Sequence, residues 1–175
     1  QEPDVTRGRY PDGGPYWLRM TPSKGSANAV PILDVMISEI MYHPLDPNDE
    51  YVEICNPMSQ AVSLGNANIV WRLNGAVDYN LPAGASISAG GRVVIVGFDP
   101  TVETSRLNAF ATAYGGTPLT PGIQIFGPWQ GSLSNSGERL VLEKTQPAED
   151  LTDADGWAVV DEVTYSDAAL WHTEA

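Results

Sequence analysis

The chain is poor in basic residues, histidine and cysteine. Of its 175 residues, 9 are Lys or Arg and 22 are Asp or Glu, which gives a formal net charge of -13. Nucleic-acid affinity rests largely on Lys and Arg neutralising phosphates, so this balance argues against a nucleic-acid partner. No Lys or Arg lies between Lys24 and Arg72, and none follows Lys144. Acidic sections of this length would also repel anionic membrane surfaces.

Other absences exclude further classes of protein. With Cys55 alone, no intrachain disulfide can form, so cysteine usage does not indicate a compartment. No segment approaches the roughly twenty apolar residues of a membrane span, and we expect no membrane insertion. The N-terminus lacks the basic and apolar regions of a signal peptide. Because the sequence begins at Gln1, we interpret it as a piece of a larger polypeptide whose targeting information lies elsewhere.

What the chain does contain is a series of short β-prone runs separated by turn residues. We predict strands at residues 35–41, 51–56, 67–73, 77–81, 92–97, 123–126, 139–144 and 157–165. In "NIVWRL", Trp71 and Leu73 face one side and Arg72 the other. The run "RVVIVG" is apolar throughout, as expected of a strand covered on both faces. This pattern predicts an all-β sandwich or barrel.

One helix interrupts the series. Asp99-Pro100 supplies a start signal, and Gly115-Gly116 supplies a stop signal. Apolar residues recur between them at helical spacing, at Leu107, Phe110, Ala111 and Tyr114. We expect this helix to cover one open end or edge of the sheets.

Four stretches in order resemble a known family. They are "VMISEIMYHPLDPNDEYVEICNPMSQAVSLGNANIVWRL", "LPAGASISAGGRVVIVG", "GSLSNSGERLVLEK" and "AVVDEVTYSDAALW", which together span roughly residues 34–171. They are similar to the lamin tail domain of exported bacterial proteins. The resemblance implies an immunoglobulin-like antiparallel β-sandwich, here with one inserted short helix. It also implies an accessory module in a large secreted or cell-surface protein, and hence an extracellular location.

The resemblance also suggests the domain organisation. Residues 1–31 are rich in turn formers, and we interpret them as a linker or as the closing segment of an upstream module. Residues 32–175 then form the lamin-tail-type domain, which we expect to lack its own C-terminal end. An edge left open in this way would recruit a strand. We therefore expect residues 16–20 to pair with such an edge, in the same chain or in a neighbour.

The loop "HPLDPNDE" supports two interpretations. His43 with Asp46, Asp49 and Glu50 would provide ligands for a metal-assisted hydrolase, although a single imidazole with loop carboxylates has no diagnostic spacing. The same residues are good turn formers. Paired carboxylates for acid-base catalysis would be sought among Glu39, Glu53 and Glu138. Because Glu39 and Glu53 belong to the family's motif, the resemblance implies a structural role for both.

A calcium loop is an alternative interpretation of "DLTDADGWAVVDE". Asp153, Asp155 and Glu162 fall at positions three, five and twelve of an EF-hand alignment, but position one is Leu151 and no helices flank the loop. A hairpin turn at Asp155-Gly156 explains the same residues without a metal. No other cofactor is indicated.

The tryptophans offer a second kind of candidate site. Aromatic side chains stack on sugars, and Trp129 and Trp171, which we place in loops, are the candidate ligand-binding residues. Cys55 is expected to be a small, half-buried hydrophobe. The function we predict is a non-catalytic interaction or spacer module that contacts adjacent modules of its polypeptide and a protein or glycan surface. The alternative is the hydrolase that uses His43.

Overall fold

The computed structural model describes residues 4–14, 17–29, 31, 34–146 and 156–167. The chain divides into two compact units, residues 1–34 and residues 35–175. The described residues form thirteen strands and one helix. In chain order these are β1 (Thr6–Arg9), β2 (Trp17–Met20), β3 (Met36–Met41), β4 (Tyr51–Cys55), β5 (Val62–Ser63), β6 (Trp71–Gly75), β7 (Val77–Asn80), β8 (Ser86–Ile87), β9 (Arg92–Val96), α1 (Thr104–Tyr114), β10 (Ile125–Phe126), β11 (Gln130–Gly131), β12 (Gly137–Gln146) and β13 (Gly156–Ser166).

The smaller unit is built around one hairpin. Strands β1 and β2 pair antiparallel, with Thr6 opposite Met20. Arg19 and Asp34 form an ion pair at 3.0 Å. The side chain of Asn28 donates a hydrogen bond to the backbone oxygen of Arg9 at 2.9 Å, which ties the loop after β2 back to β1. The strand expected at residues 16–20 therefore pairs inside its own unit, and its exchange with a further sheet stays a prediction.

The larger unit is a sandwich of two sheets. One has the strand order β10-β9-β4-β3 and the other β11-β7-β6-β12-β13, while β5 and β8 form a small additional ribbon. Neighbouring strands are antiparallel except β10, which runs parallel to β9. Side chains from both sheets, among them Ile54, Ile95, Leu73 and Leu142, share one buried core. The predicted immunoglobulin-like antiparallel sandwich with one inserted helix is confirmed.

Helix α1 explains why β9 is apolar on both faces. Val93 and Ile95 belong to the sandwich core, whereas Val94 and Val96 face a second cluster that includes Leu107 and Phe110 of the helix. The two-sided burial predicted from "RVVIVG" is confirmed. The helix covers the outer face of the four-stranded sheet, however, and not an open end or edge. It has 11 residues, and no helix in the described residues is long and apolar enough to span a membrane.

The helix begins at Thr104, later than Asp99-Pro100 predicted. The Asp99 carboxylate accepts hydrogen bonds from the backbone N–H and the hydroxyl of Thr101, at 2.8 and 2.6 Å. This local bonding holds the segment in a turn and delays the first helical residue. The end is as predicted, since the N–H of Gly115 donates to the oxygen of Ala111 at 3.0 Å.

Strand β6 also begins later than the predicted residue 67. The Asn66 side chain accepts hydrogen bonds from the N–H groups of Asn68 and Ile69, at 2.8 and 3.0 Å, so these residues form a turn. At the other end, Gly75 has φ 103° and a Cβ atom there would lie 2.5 Å from the Arg139 oxygen. Glycine is therefore required for the tight link from β6 to β7.

Candidate functional site

The acidic loop between β3 and β4 sends its carboxylates to separate structural partners. Asp46 accepts hydrogen bonds from the backbone and the side-chain amide of Asn48, each at 3.0 Å, and these bonds lower the pKa of Asp46. Asp49 pairs with Arg106 of α1 at 3.3 Å, while His43 is exposed. Within the described residues, no three His, Cys, Asp or Glu side chains form a group that could hold a metal ion. The loop shapes a turn and anchors the helix.

A second structural contact joins Glu50 to the loop before β12. The Glu50 carboxylate accepts the backbone N–H of Leu133 at 3.0 Å. Burial raises the pKa of Glu50, and the Leu133 N–H partly opposes that rise. Nearby, Tyr165 is 2% exposed and stacks on Tyr42 with 4.7 Å between ring centroids. Burial first, and then the Glu138 carboxylate, raise the pKa of Tyr165 to about 12, so its hydroxyl stays protonated at neutral pH.

Glu39 and Glu53 lie directly opposite each other on β3 and β4. Like charges in this arrangement destabilise a strand pair unless each has a partner. Glu39 accepts a hydrogen bond from the Tyr51 hydroxyl at 2.6 Å, and Glu53 accepts one from the Ser38 hydroxyl at 2.7 Å. Burial, and then the bond to Glu39, raise the pKa of Tyr51. The third carboxylate considered, Glu138, lies on β12 in the other sheet.

Each of the four arginines within residues 35–175 pairs with a carboxylate. The pairs are Arg72 with Glu143 at 2.7 Å, Arg92 with Glu53 at 3.1 Å, Arg106 with Asp49 at 3.3 Å, and Arg139 with Glu162 at 2.8 Å. Their guanidinium groups are thus neutralised inside the domain, which leaves little of its cationic charge for phosphate groups.

The calcium interpretation involves both described and undescribed residues. Glu162 lies on β13, and its two carboxylate oxygens accept hydrogen bonds from Arg139 at 2.9 and 2.8 Å. Asp153 and Asp155 lie outside the described residues. Calcium binding through these three residues therefore stays a prediction, and Glu162 would have to release its bidentate partner to take part.

Cys55 lies half-buried on β4, opposite Met36 of β3 and Arg92 of β9. A cysteine nucleophile needs a nearby base that withdraws its proton. Neither Met36 nor Arg92 can act as that base. The position of Cys55 fits the small half-buried hydrophobe expected from the sequence.

Three tryptophans have described side chains, and two of them belong to the core. Trp71 is 3% exposed and Trp129 is 6% exposed, and both belong to the sandwich core. To stack on a sugar, Trp129 would have to leave that core. Trp171 lies outside the described residues. Trp157, at 38% exposed, is the tryptophan that β13 places on the outer face of the five-stranded sheet.

Trp157 is held in place by a charged neighbour. The guanidinium carbon of Arg72 lies 3.7 Å from the centroid of the indole ring. Arg72 Nε and Asn74 Nδ2 both donate to one oxygen of Glu143, at 2.7 and 3.2 Å, and Glu143 is 8% exposed. We call these four residues the Trp157 surface. Because the buried carboxylate fixes the arginine and the arginine covers one face of the indole, the ring is ordered before any partner arrives.

Two sequence patterns predicted the faces on which residues of the Trp157 surface lie, but not that these residues are in contact. Alternation in "NIVWRL" placed Arg72 on the face opposite Trp71, and alternation along "GWAVV" places Trp157 and Val159 on one face. What the sequence did not show is that β12 lies between β6 and β13, so that Trp157 reaches Arg72 across one strand. That neighbourhood depends on strand order.

A family model described as the Lamin Tail Domain matches residues 29–167. No curated protein matches the chain. The matched residues include the four quoted stretches up to residue 167, and with them β3 to β13 and helix α1.

Proposed function

This chain belongs to the lamin tail domain family, and we propose that it is a non-catalytic binding or spacer module that contacts a protein or a glycan through the Trp157 surface. The observation that carries the proposal is the half-exposed indole of Trp157 fixed against Arg72 at 3.7 Å. Trp and Arg are the residues that most often dominate binding free energy at interfaces. An aromatic ring that is already ordered also loses less entropy on binding than a mobile one.

The arrangement of the acidic residues supports binding over catalysis. Asp49, Glu50 and Glu53 each have a structural partner, and the partners lie on different elements. Acid-base catalysis would instead need titratable groups that converge on one reacting atom. The neutralised arginines and the net charge of -13 support a partner other than nucleic acid.

We further propose that the module belongs to a larger secreted or cell-surface bacterial protein. The support is the sequence resemblance to lamin tail domains of exported proteins, together with a strongly acidic composition. The full-length reading frame tests this directly. A secretory signal ahead of the module agrees with the proposal, and a cytosolic enzyme frame with no export signal contradicts it.

The binding test compares three single variants. The wild-type chain is screened against arrayed oligosaccharides and against the separately expressed neighbouring modules of its polypeptide. Trp157→Ala and Arg72→Ala should each weaken retention of the bound partner by about tenfold or more, as expected at an interface hot spot. Leu45→Ala, a fully exposed apolar residue on the loop before β4, is the matched control and should leave binding unchanged.

The same proteins also test the hydrolase alternative. Each protein is assayed with chromogenic ester or phosphate substrates in added Zn²⁺ or Mn²⁺. Turnover that is lost in His43→Ala and retained in Trp157→Ala would favour the metal-assisted hydrolase over the binding module. If Trp157→Ala and Arg72→Ala retain the partner as well as the wild type does, the Trp157 surface is not the binding site.

A further inference from the structure

Strand β13 forms one edge of the five-stranded sheet. In the described part of the chain, β13 pairs with β12 and no strand runs along its other side. The later half of this edge lies near β3, because the Asp161 side chain accepts the backbone N–H of Ile37 at 2.8 Å. For the earlier half, residues 156–160, the described part of the chain shows no hydrogen bond of this kind to β3. An uncovered strand edge offers unpaired backbone donors and acceptors to another chain.

The hydrogen-bond pattern shows which backbone groups face outward. The N–H of Thr145 donates to the oxygen of Val70 at 2.9 Å, so Thr145 faces β6. Residues along an antiparallel strand alternate between their two neighbours, so Lys144 faces β13. Its register partner Ala158 therefore faces β12. Trp157 and Val159, on either side of Ala158, direct their backbone N–H and C=O groups to the open edge.

This half of the edge is uncharged and apolar in a strongly acidic chain. Residues 156–160 read "GWAVV", and the next two residues are Asp161 and Glu162. Trp157 and Val159 are 38% and 40% exposed, which is unusual for large apolar side chains side by side on one strand. Two chains of net charge -13 repel each other, and a neutral segment such as this one opposes their close approach less than an acidic segment does.

We propose that two copies of this chain pair antiparallel through residues 156–160, with the two-fold axis at Ala158. Trp157 of each copy then lies opposite Val159 of the other copy. Because both residues present outward N–H and C=O groups, each such pair exchanges two backbone hydrogen bonds. An aromatic ring opposite a β-branched side chain is also a favourable cross-strand pair.

The same register limits the pairing to five residues. Asp161 and Glu162 lie beyond its ends, where the acidic chains diverge, and Asp161 is already engaged with Ile37. The contact is small, so the dimer is weak, and screening of the acidic repulsion by salt strengthens it. The inference concerns the edge of the sheet, and it goes beyond the partner proposed for the Trp157 surface on its face.

Sedimentation velocity on the whole chain tests the dimer. From about 10 μM to about 1 mM, the range for weak complexes, the sedimentation coefficient should rise with protein concentration, and more so in added salt. Val159→Pro removes an outward N–H, and proline is tolerated on an edge strand. It should weaken association about tenfold or more, since each copy loses a hydrogen bond. Thr164→Pro, which also removes an outward N–H but outside the neutral segment, is the matched control and should associate like the wild type.

Disulfide trapping fixes the register and does not depend on the proline variant. Ala158 faces its own copy across the axis as a non-hydrogen-bonded pair, with Cα atoms about 4.5 Å apart, within the range that a disulfide spans. In a Cys55→Ser background, Ala158→Cys should crosslink under mild oxidation, and Thr164→Cys should not. The proposal is overturned if the wild-type chain stays monomeric at every concentration and Ala158→Cys forms no crosslink. It is also overturned by a dimer that Val159→Pro leaves intact, which would assign association to another segment such as residues 16–20.

Discussion

The carboxylate of Asp161 accepts a hydrogen bond from the backbone N–H of Ile37 at 2.8 Å, across 124 residues of sequence. The two residues lie on edge strands of opposite sheets, Ile37 on β3 and Asp161 on β13. Asp161 also accepts the N–H of Glu162 at 2.9 Å and stands next to an irregularity in the β12–β13 register. An extra residue there turns the side chain toward the other sheet. One carboxylate thus links the edge strands of the two sheets.

Removing this contact should destabilise the fold. Asp161→Ala leaves the Ile37 N–H without its partner, and we expect a loss of about 1–3 kcal/mol in the free energy of unfolding. Asp161→Asn keeps one acceptor oxygen and should lose less. Chemical denaturation measures both, with the exposed Asp78→Ala as control, expected within about 0.5 kcal/mol of wild type. Equal stability of Asp161→Ala and Asp78→Ala would show that the contact does not hold the sheets.

The pair beneath Trp157 should be strongly coupled. Arg72→Ala leaves the buried Glu143 carboxylate without its cation. We expect a loss of about 3 kcal/mol of stability, the low end for a buried pair, because the Arg72 side chain is 26% exposed. Arg72→Lys should restore only part of it, because an ammonium lacks the planar donors and the stacking surface of a guanidinium. In a double-mutant cycle with Glu143→Ala, the coupling should be about 1–3 kcal/mol. A coupling near zero would mean that the arginine is held by something other than Glu143.

The packing of the helix should depend strongly on the buried ring of Phe110. Phe110 is 4% exposed, and its ring lies 5.7 Å from that of Tyr51 and 5.9 Å from that of Phe98, measured between centroids. Phe110→Ala should cost about 3–5 kcal/mol, since it removes a large buried side chain and leaves a cavity.

Val102→Ala provides the control for that experiment. Val102 is 75% exposed just before the helix, and the substitution should change stability by less than about 0.5 kcal/mol. Thermal and denaturant unfolding compare the two variants. Similar losses in both would show that the helix packs only loosely on the sheet.

Glu50 should make stability depend on pH in a defined direction. Burial raises its pKa above the ordinary 4.5, so the folded chain binds that proton more tightly than the unfolded chain. The resulting stabilisation is present below pH 4.5 and is lost as the pH rises through the folded-state pKa.

Glu50→Gln isolates this effect, because glutamine does not ionise and retains an oxygen for the Leu133 N–H. Stability of the variant relative to wild type should therefore increase as the pH rises above about 4.5 toward neutrality. Denaturation curves at a series of pH values, with Asp78→Asn as control, measure the difference. A relative stability that falls over this range would reverse the sign assigned to Glu50.

Much of the fold followed from local patterns. Alternation placed Trp71 and Leu73 in the core, and the unbroken apolar run at β9 required cover on both faces. The later starts of β6 and α1 did not follow, because the side chains of Asn66 and Asp99 bond to nearby N–H groups and hold turns where strand or helix residues were expected. Such competition is decided by geometry that residue type alone does not fix.

The candidate site was harder to predict for a different reason. The sequence placed Trp129 in a loop and suggested it on that ground. It does lie in the loop just before β11, yet its ring enters the core. The importance of Trp157 depends on Arg72, 85 residues earlier in the chain, and on the strand that lies between them. Contacts of that kind depend on the order of strands in a sheet, which periodicity does not specify.

Fluorine NMR of the chain labelled with 5-fluorotryptophan, with a soluble paramagnetic agent added, tests the central claim most directly. The claim is that Trp157, and not Trp129, is presented for contact. Resonances are assigned by single Trp→Phe substitutions. The account predicts strong broadening of the Trp157 signal and protection of the Trp71 and Trp129 signals, in line with their exposures of 38%, 3% and 6%. A protected Trp157, or a Trp129 signal broadened as strongly as that of Trp157, would contradict it.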